Sequence, residues 1–101
     1  MQMSKLILIL AALGTAGLAA ASEDLAKAKN CFSCHAVANK IVGPAFKDVA
    51  AKYKGDKKAG DSLAAKIKAG GKGVWGEIPM PPNNLSDAEA KQLATWILKQ
   101  K

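Results

Sequence analysis

One short stretch, Cys31-Phe32-Ser33-Cys34-His35, limits what this chain can fold into more than any other. Two thiols three positions apart on one helical turn can bond the two vinyl-derived carbons of a porphyrin. The imidazole that follows then points at the metal from one face. C-x-x-C-H is the attachment signature of covalently held haem. On that reading Cys31 and Cys34 carry the haem and His35 is an axial ligand to its iron. Two other chemistries compete. A four-coordinate structural zinc site cannot be filled by the usual ligands, because the chain has 2 Cys and 1 His. A redox dithiol uses the same cysteines, but it expects a βαβ context and nothing around Cys31 reads as a β-strand.

The N-terminal segment bears on the compartment. Met1-Gln2-Met3-Ser4-Lys5 carries one positive charge, the apolar run Leu6–Leu13 follows, and small residues lead to Ala19-Ala20-Ala21. This is the layout of a secretory signal peptide, with cleavage expected after Ala21. The alternative is a retained membrane anchor, which needs about 20 apolar residues. Here the uncharged stretch ends at Ser22-Glu23-Asp24 and its second half is Ala and Gly. Cleavage leaves residues 22–101 as one domain and lowers the formal charge from +7 to +6 by removing Lys5. Export to the periplasm also suits haem attachment, which in bacteria takes place outside the cytoplasm, where free thiols would otherwise be open to oxidation.

A domain of roughly 80 residues is marginal for a single hydrophobic core. With aromatics at 5% of the chain, a covalent porphyrin is the natural centre for it. The pattern predicts short helices joined by Gly- and Pro-rich loops, with no alternating β-branched run. A first helix is expected over 23–30, capped by Ser22 or Asp24, with Leu25 and Ala28 facing inward. A second starts at Pro44 and repeats Phe46, Val49, Ala50 and Tyr53 along one face before Gly55. A third begins near Asp61, buries Leu63 and Ile67 and stops at Gly70-Gly71. The last opens on Ser86-Asp87-Ala88-Glu89, a capping box, with Ala90, Leu93, Ala94 and Ile97 behind it as an apolar stripe.

Between the last two helices lies Gly73-Val74-Trp75-Gly76-Glu77-Ile78-Pro79-Met80-Pro81-Pro82-Asn83-Asn84, too apolar and too proline-constrained for a plain linker. Met80 is the only methionine left after removal of the signal segment. A thioether is a common sixth ligand to c-type haem iron. Met80 could instead fill a gap in the core. The prolines at 79, 81 and 82 favour the ligand, since each fixes φ near −65° and reduces the freedom of the loop around a weak sulfur donor.

These segments, with Val42-Gly43-Pro44-Ala45 and the terminal helix bearing Trp96, resemble the small bacterial class I cytochromes c of the cytochrome c-551/c-552 family over essentially all of residues 22–101. The resemblance implies an all-α cytochrome c fold, four or five short helices wrapped around one covalently bound haem. It puts His35 and Met80 at the axial ligand positions and lets the Pro44 carbonyl accept the imidazole N–H. It also puts Trp75 and Lys66 near a haem propionate and the Asn83 amide near the methionine sulfur. Each has an ordinary alternative: Trp75 as core, Lys66 as a solvated lysine, and Asn83 as a turn residue.

The function implied is electron transfer rather than catalysis. There is no carboxylate pair, spare histidine or nucleophile with a base. The expected partners are periplasmic or membrane-bound redox enzymes with an acidic docking surface, such as a cd-type nitrite reductase, a terminal oxidase or a cytochrome c peroxidase. Nucleic acid is not expected as a partner, and the protein is read as a monomer without stable membrane insertion after cleavage. The 14 Lys against 8 acidic residues of the mature domain would steer such encounters, or simply keep a small protein soluble. By resemblance, Phe32, Ile41, Val42, Pro81 and Pro82 ring the exposed haem edge, with Lys29, Lys40 and Lys72 on the rim. Two further readings stay open. A labile Met80 would make the protein a peroxidase-like catalyst or gas sensor, and a retained 1–21 would make it a tethered subunit.

Overall fold

The computed structural model describes residues 17–101. Among these, four α-helices and one 3-10 turn make an all-α fold: α1 over 17–28, the turn Cys31–Ser33, α2 Phe46–Lys52, α3 Ala59–Ala69 and α4 Asp87–Leu98. α4 is the spine. Its stripe of Ala90, Leu93, Ala94 and Ile97 is buried against Ala64 and Ile67 of α3 and Phe46 and Val49 of α2, with Ala26 and Leu85 completing the cluster. The start of α4 follows the sequence pattern: the Ser86 hydroxyl accepts the Glu89 N–H at 3.1 Å, and the Glu89 carboxylate accepts the Ser86 N–H at 3.0 Å.

The starts of the other helices depart from expectation for identifiable reasons, whereas α3 stops at Gly70 as expected. α1 runs through Ser22, whose hydroxyl donates to the Leu18 carbonyl at 2.9 Å and accepts from Gln92 at 3.3 Å, so Ser22 is a buried tie to α4 and not a cap. Ala26 is the fully buried position of this helix, Leu25 is half-buried, and Ala28 faces solvent. The signal-segment reading of 1–21 lies for the most part outside the described residues. α2 begins at Phe46, two residues later than the proline rule suggested. Its first N–H groups have partners elsewhere in the chain: Phe46 and Lys47 donate to the carbonyls of Ala36 and Val37 at 2.9 and 3.0 Å. That arrangement holds Ala45 extended and leaves Pro44 outside the helix. α3 begins at Ala59, where Asp56 accepts the Lys58 N–H at 2.9 Å and so turns the chain into the helix.

Candidate haem site

Asn30, at φ 63°, turns the chain sharply out of α1 into the 3-10 turn. The N–H groups of Cys34 and His35 both reach the Cys31 carbonyl, at 3.3 and 3.0 Å. This tight turn directs Cys31, Cys34 and His35 at one cavity of about 510 Å³. Burial pushes the Cys31 thiol up, partly offset by a backbone hydrogen bond. Redox dithiols depend on a lowered thiol pKa, so this environment argues against that chemistry.

The His35 imidazole is held from three directions. Its Nδ1 lies 2.8 Å from the Pro44 carbonyl oxygen. A carbonyl only accepts, so Nδ1 carries the proton and Nε2 keeps its lone pair for a metal. The Phe46 ring lies nearly parallel to the imidazole, at 5.2 Å between centroids and 20° between planes. Gly43 packs against the ring so closely that an added Cβ would sit within 2.8 Å of Nδ1 and 2.9 Å of Nε2. The loop 40–43 that delivers Gly43 is pinned by its N–H donating to the Cys34 carbonyl at 2.7 Å.

Met80 reaches the same cavity from the far side of the chain. It exchanges both backbone hydrogen bonds with Gly71, just beyond the end of α3. Gly70 has φ 71° and ψ −165°, a region open in practice to glycine alone, and a Cβ there would run into the Met80 carbonyl and the Pro81 backbone. Asn83 fastens the other end of the proline run: its amide donates to the Ile67 carbonyl at 2.9 Å and to the Pro81 carbonyl at 3.3 Å. Both amide hydrogens are thus directed at carbonyls, and the side chain acts as a strap from the loop to α3 as well as lining the cavity.

Lys66 and Trp75 also line the cavity. Trp75 is 41% exposed and is not part of the helical core; the Lys52 ammonium lies 5.5 Å from its ring centroid. Lys66 is exposed, and its ammonium end lies alongside Gly71. Ile41, Val42, Val74 and Ile78 leave an apolar rim at the cavity mouth, with Ile78 68% exposed.

Two rim assignments need correction. Phe32 does not line the cavity but sits half-buried in an aromatic cluster, edge-on to Phe46 at 5.8 Å and to Trp96 at 6.3 Å, a favoured geometry for aromatic pairs. Lys29 donates to the Asn84 carbonyl at 2.9 Å and so ties the end of α1 to the loop before α4. Lys72, by contrast, does line the cavity, where it faces Glu77 at 3.9 Å.

The cavity residues fit a covalently attached haem. Two thiols and an imidazole nitrogen with a free lone pair converge with a thioether on a mostly apolar chamber, whose size falls in the usual range for a bound cofactor. Among the described residues no group of three or more His, Cys, Asp and Glu side chains could hold a metal ion by itself. None of their helices is long and apolar enough to cross a membrane.

Comparison with known proteins shows the family and the fold. The family model for cytochrome c matches residues 19–101. The chain is 59% identical to cytochrome c-552 of Hydrogenobacter thermophilus, over 96% of this chain and 99% of that one. It is 61% identical to cytochrome c-551 of Azotobacter vinelandii, over 78% of this chain and 96% of that one. The crystal structure of wild-type Nitrosomonas europaea cytochrome c552 superposes with a TM-score of 0.76 at 61% identity, covering 78% of this chain and 99% of that one. This chain therefore belongs to the cytochrome c family: it is a small c-type cytochrome, an electron carrier and not an enzyme, whose cofactor is haem c.

Proposed function

We propose that the protein is a periplasmic shuttle delivering single electrons to a respiratory redox enzyme, exported by cleavage of residues 1–21. The observation that carries this reading is the convergence of Cys31, Cys34, His35 and Met80 on one apolar cavity. Cys31 and Cys34 would hold the haem through thioether bonds, and His35 Nε2 and Met80 Sδ would be the ligands to its iron. Haem iron held in this way supplies a one-electron ferric–ferrous couple, and neutral imidazole and thioether ligands favour its reduced state relative to anionic ones.

The chain's own residues do the positioning. The Pro44 carbonyl fixes the His35 tautomer. The Gly71 pairing and the Asn83 strap hold the Met80 backbone at both ends. Lys66 and Trp75 are suited to a haem propionate, by charge and by indole N–H. With His35 and Met80 both offered to the iron by the chain, no position would be left for a substrate, which supports a carrier over a gas sensor or peroxidase.

An enzyme with an acidic docking surface, such as a cd-type nitrite reductase, a terminal oxidase or a cytochrome c peroxidase, is the partner that the charge of the chain fits. The apolar rim of Ile41, Val42 and Ile78 then makes the close contact, and Lys40 supplies the rim charge.

Three measurements test this reading. The purified protein should have the mass of residues 22–101 plus one haem that acidified organic solvent does not extract. Its ferric form should show the near-infrared sulfur-to-iron band, which Met80→Ala removes while opening the iron to CO. In stopped-flow oxidation by a periplasmic nitrite reductase, Lys40→Glu should slow delivery at low salt only, and Ile41→Ser at low and high salt alike. Extractable haem, or wild type binding CO as fast as Met80→Ala, would sink the proposal.

A further inference from the structure

We infer that Gly43 and Phe46 are positioning residues for the haem iron: together they set the plane in which the His35 imidazole stands. The inference rests on His35 as an axial ligand and adds what fixes its rotation. A Cβ built on Gly43 lies nearest to imidazole Cε1 and is almost equally close to the two nitrogens, at 2.8 and 2.9 Å. A point in the ring plane beyond the Cε1 edge would be clearly farther from both nitrogens, so Gly43 covers the face of the ring. The Phe46 ring, three residues on, lies within 20° of the same plane.

Hydrogen bonding alone would leave the ring free to turn about the Nδ1–carbonyl direction. Two flat contacts against the ring remove that freedom. Gly43 cannot easily retreat, because its N–H donates to the Cys34 carbonyl at 2.7 Å and its carbonyl accepts from Ile41 at 3.2 Å. Nor does its backbone need glycine, since its φ is outside the left-handed region that the other loop glycines occupy. The imidazole itself is therefore what excludes a side chain at position 43. Phe46 belongs to the buried core through Trp96, 5.5 Å away, so the orientation of the ring is coupled to the packing of α2 on α4.

The ring plane decides which iron orbitals the imidazole can overlap, and the hydrogen bond decides how basic the ligand is. Tilting the ring off the Pro44 carbonyl weakens that bond, makes the imidazole less electron-rich and favours ferrous iron.

Gly43→Ala, Phe46→Leu and Phe46→Tyr in the full holoprotein test this, with Gly60→Ala as a control whose Cβ meets nothing within 4 Å. Gly43→Ala should change the g-anisotropy of the ferric protein and the hyperfine-shifted haem methyl signals. It should also raise the ferrous-to-ferric ratio at fixed potential roughly three- to tenfold, a tenfold change being 59 mV for one electron. Phe46→Leu should alter the methyl pattern with a smaller change in potential, and Phe46→Tyr should restore the parent pattern. Should Gly43→Ala fail to mature, the Phe46 pair decides by itself. Parent spectra and potential in Gly43→Ala and Phe46→Leu would overturn the inference and leave the ring plane to the cysteine tethers. A parent protein without a six-coordinate low-spin spectrum would instead refute His35–Met80 ligation.

Discussion

Gly71 and Met80 exchange both backbone hydrogen bonds, at 3.0 and 2.8 Å, so the residue that offers sulfur to the cavity is paired with the residue just beyond α3. The pairing depends on Gly70, which reverses the chain in a conformation reserved for glycine and lies against the Met80 and Pro81 backbone. Gly70→Ala should therefore destabilise the protein by about 1–3 kcal/mol from backbone strain and displace Met80 as well. The prediction is checked by denaturant unfolding together with the near-infrared band. Loss of stability with an undiminished band would show that Met80 is held by something other than this turn.

The Asn83 strap makes a second, separable prediction. Asn83→Ala removes the donor to Ile67 and leaves a part-buried carbonyl unsatisfied, a cost of about 1–3 kcal/mol. Since the strap anchors the proline run rather than donating to the sulfur, Asn83→Ala should speed displacement of Met80 by imidazole or cyanide but leave the potential of the intact six-coordinate form nearly unchanged. A large shift of that potential at constant displacement rate would favour direct contact with the sulfur.

Acid should weaken the start of α4 in a way that can be traced to one carboxylate. The Ser86 N–H, and then its hydroxyl, hold the Glu89 carboxyl below the usual carboxylate range. Its folded-state pKa is the lower one, so its contribution is present above the ordinary glutamate value and is lost as pH falls through the depressed folded value. Lys68 acts on Asp87 in the same direction, chiefly by a hydrogen bond to its carboxylate and then by its charge. Glu89→Gln keeps an oxygen for the Ser86 N–H but does not titrate, so its melting temperature should fall less steeply with acid than wild type. Ser86→Ala should cost about 0.5–2 kcal/mol at neutral pH. Parallel acid profiles for Glu89→Gln and wild type would exclude Glu89 as a source of the pH dependence.

Gly60 sits in the first turn of α3 with open space where a Cβ would go and no left-handed φ. Nothing in the fold requires glycine there. Gly60→Ala should stabilise the protein by about 0.4–1 kcal/mol through the unfolded chain's lost freedom, seen as a higher denaturation midpoint at unchanged slope. A lower midpoint would mean that bound haem or a neighbour uses that space.

Local patterns were enough for much of this protein. The C-x-x-C-H run, the capping box at Ser86 and the stripe Ala90, Leu93, Ala94 and Ile97 are contained in a few consecutive turns, and α4 follows them residue by residue. The proline-flanked Met80 stood out because short-range backbone restriction is written in residue type. What depended on distant partners was not legible in that way. α2 opens late because the carbonyls of Ala36 and Val37 satisfy its first N–H groups, which no helix rule for Pro44 could show. Phe32 left the cavity rim for Phe46 and Trp96, Lys29 went to the Asn84 carbonyl 55 residues away, and Asn83 turned to Ile67. In the sequence Gly43 is part of a loop motif, and only the fold lays the imidazole against it. Residue type and spacing determined which groups could bind a haem, because that chemistry is local. Only the tertiary packing decided which side chains hold those groups in place, because each long-range contact depends on which other groups compete for the same donor, acceptor or surface.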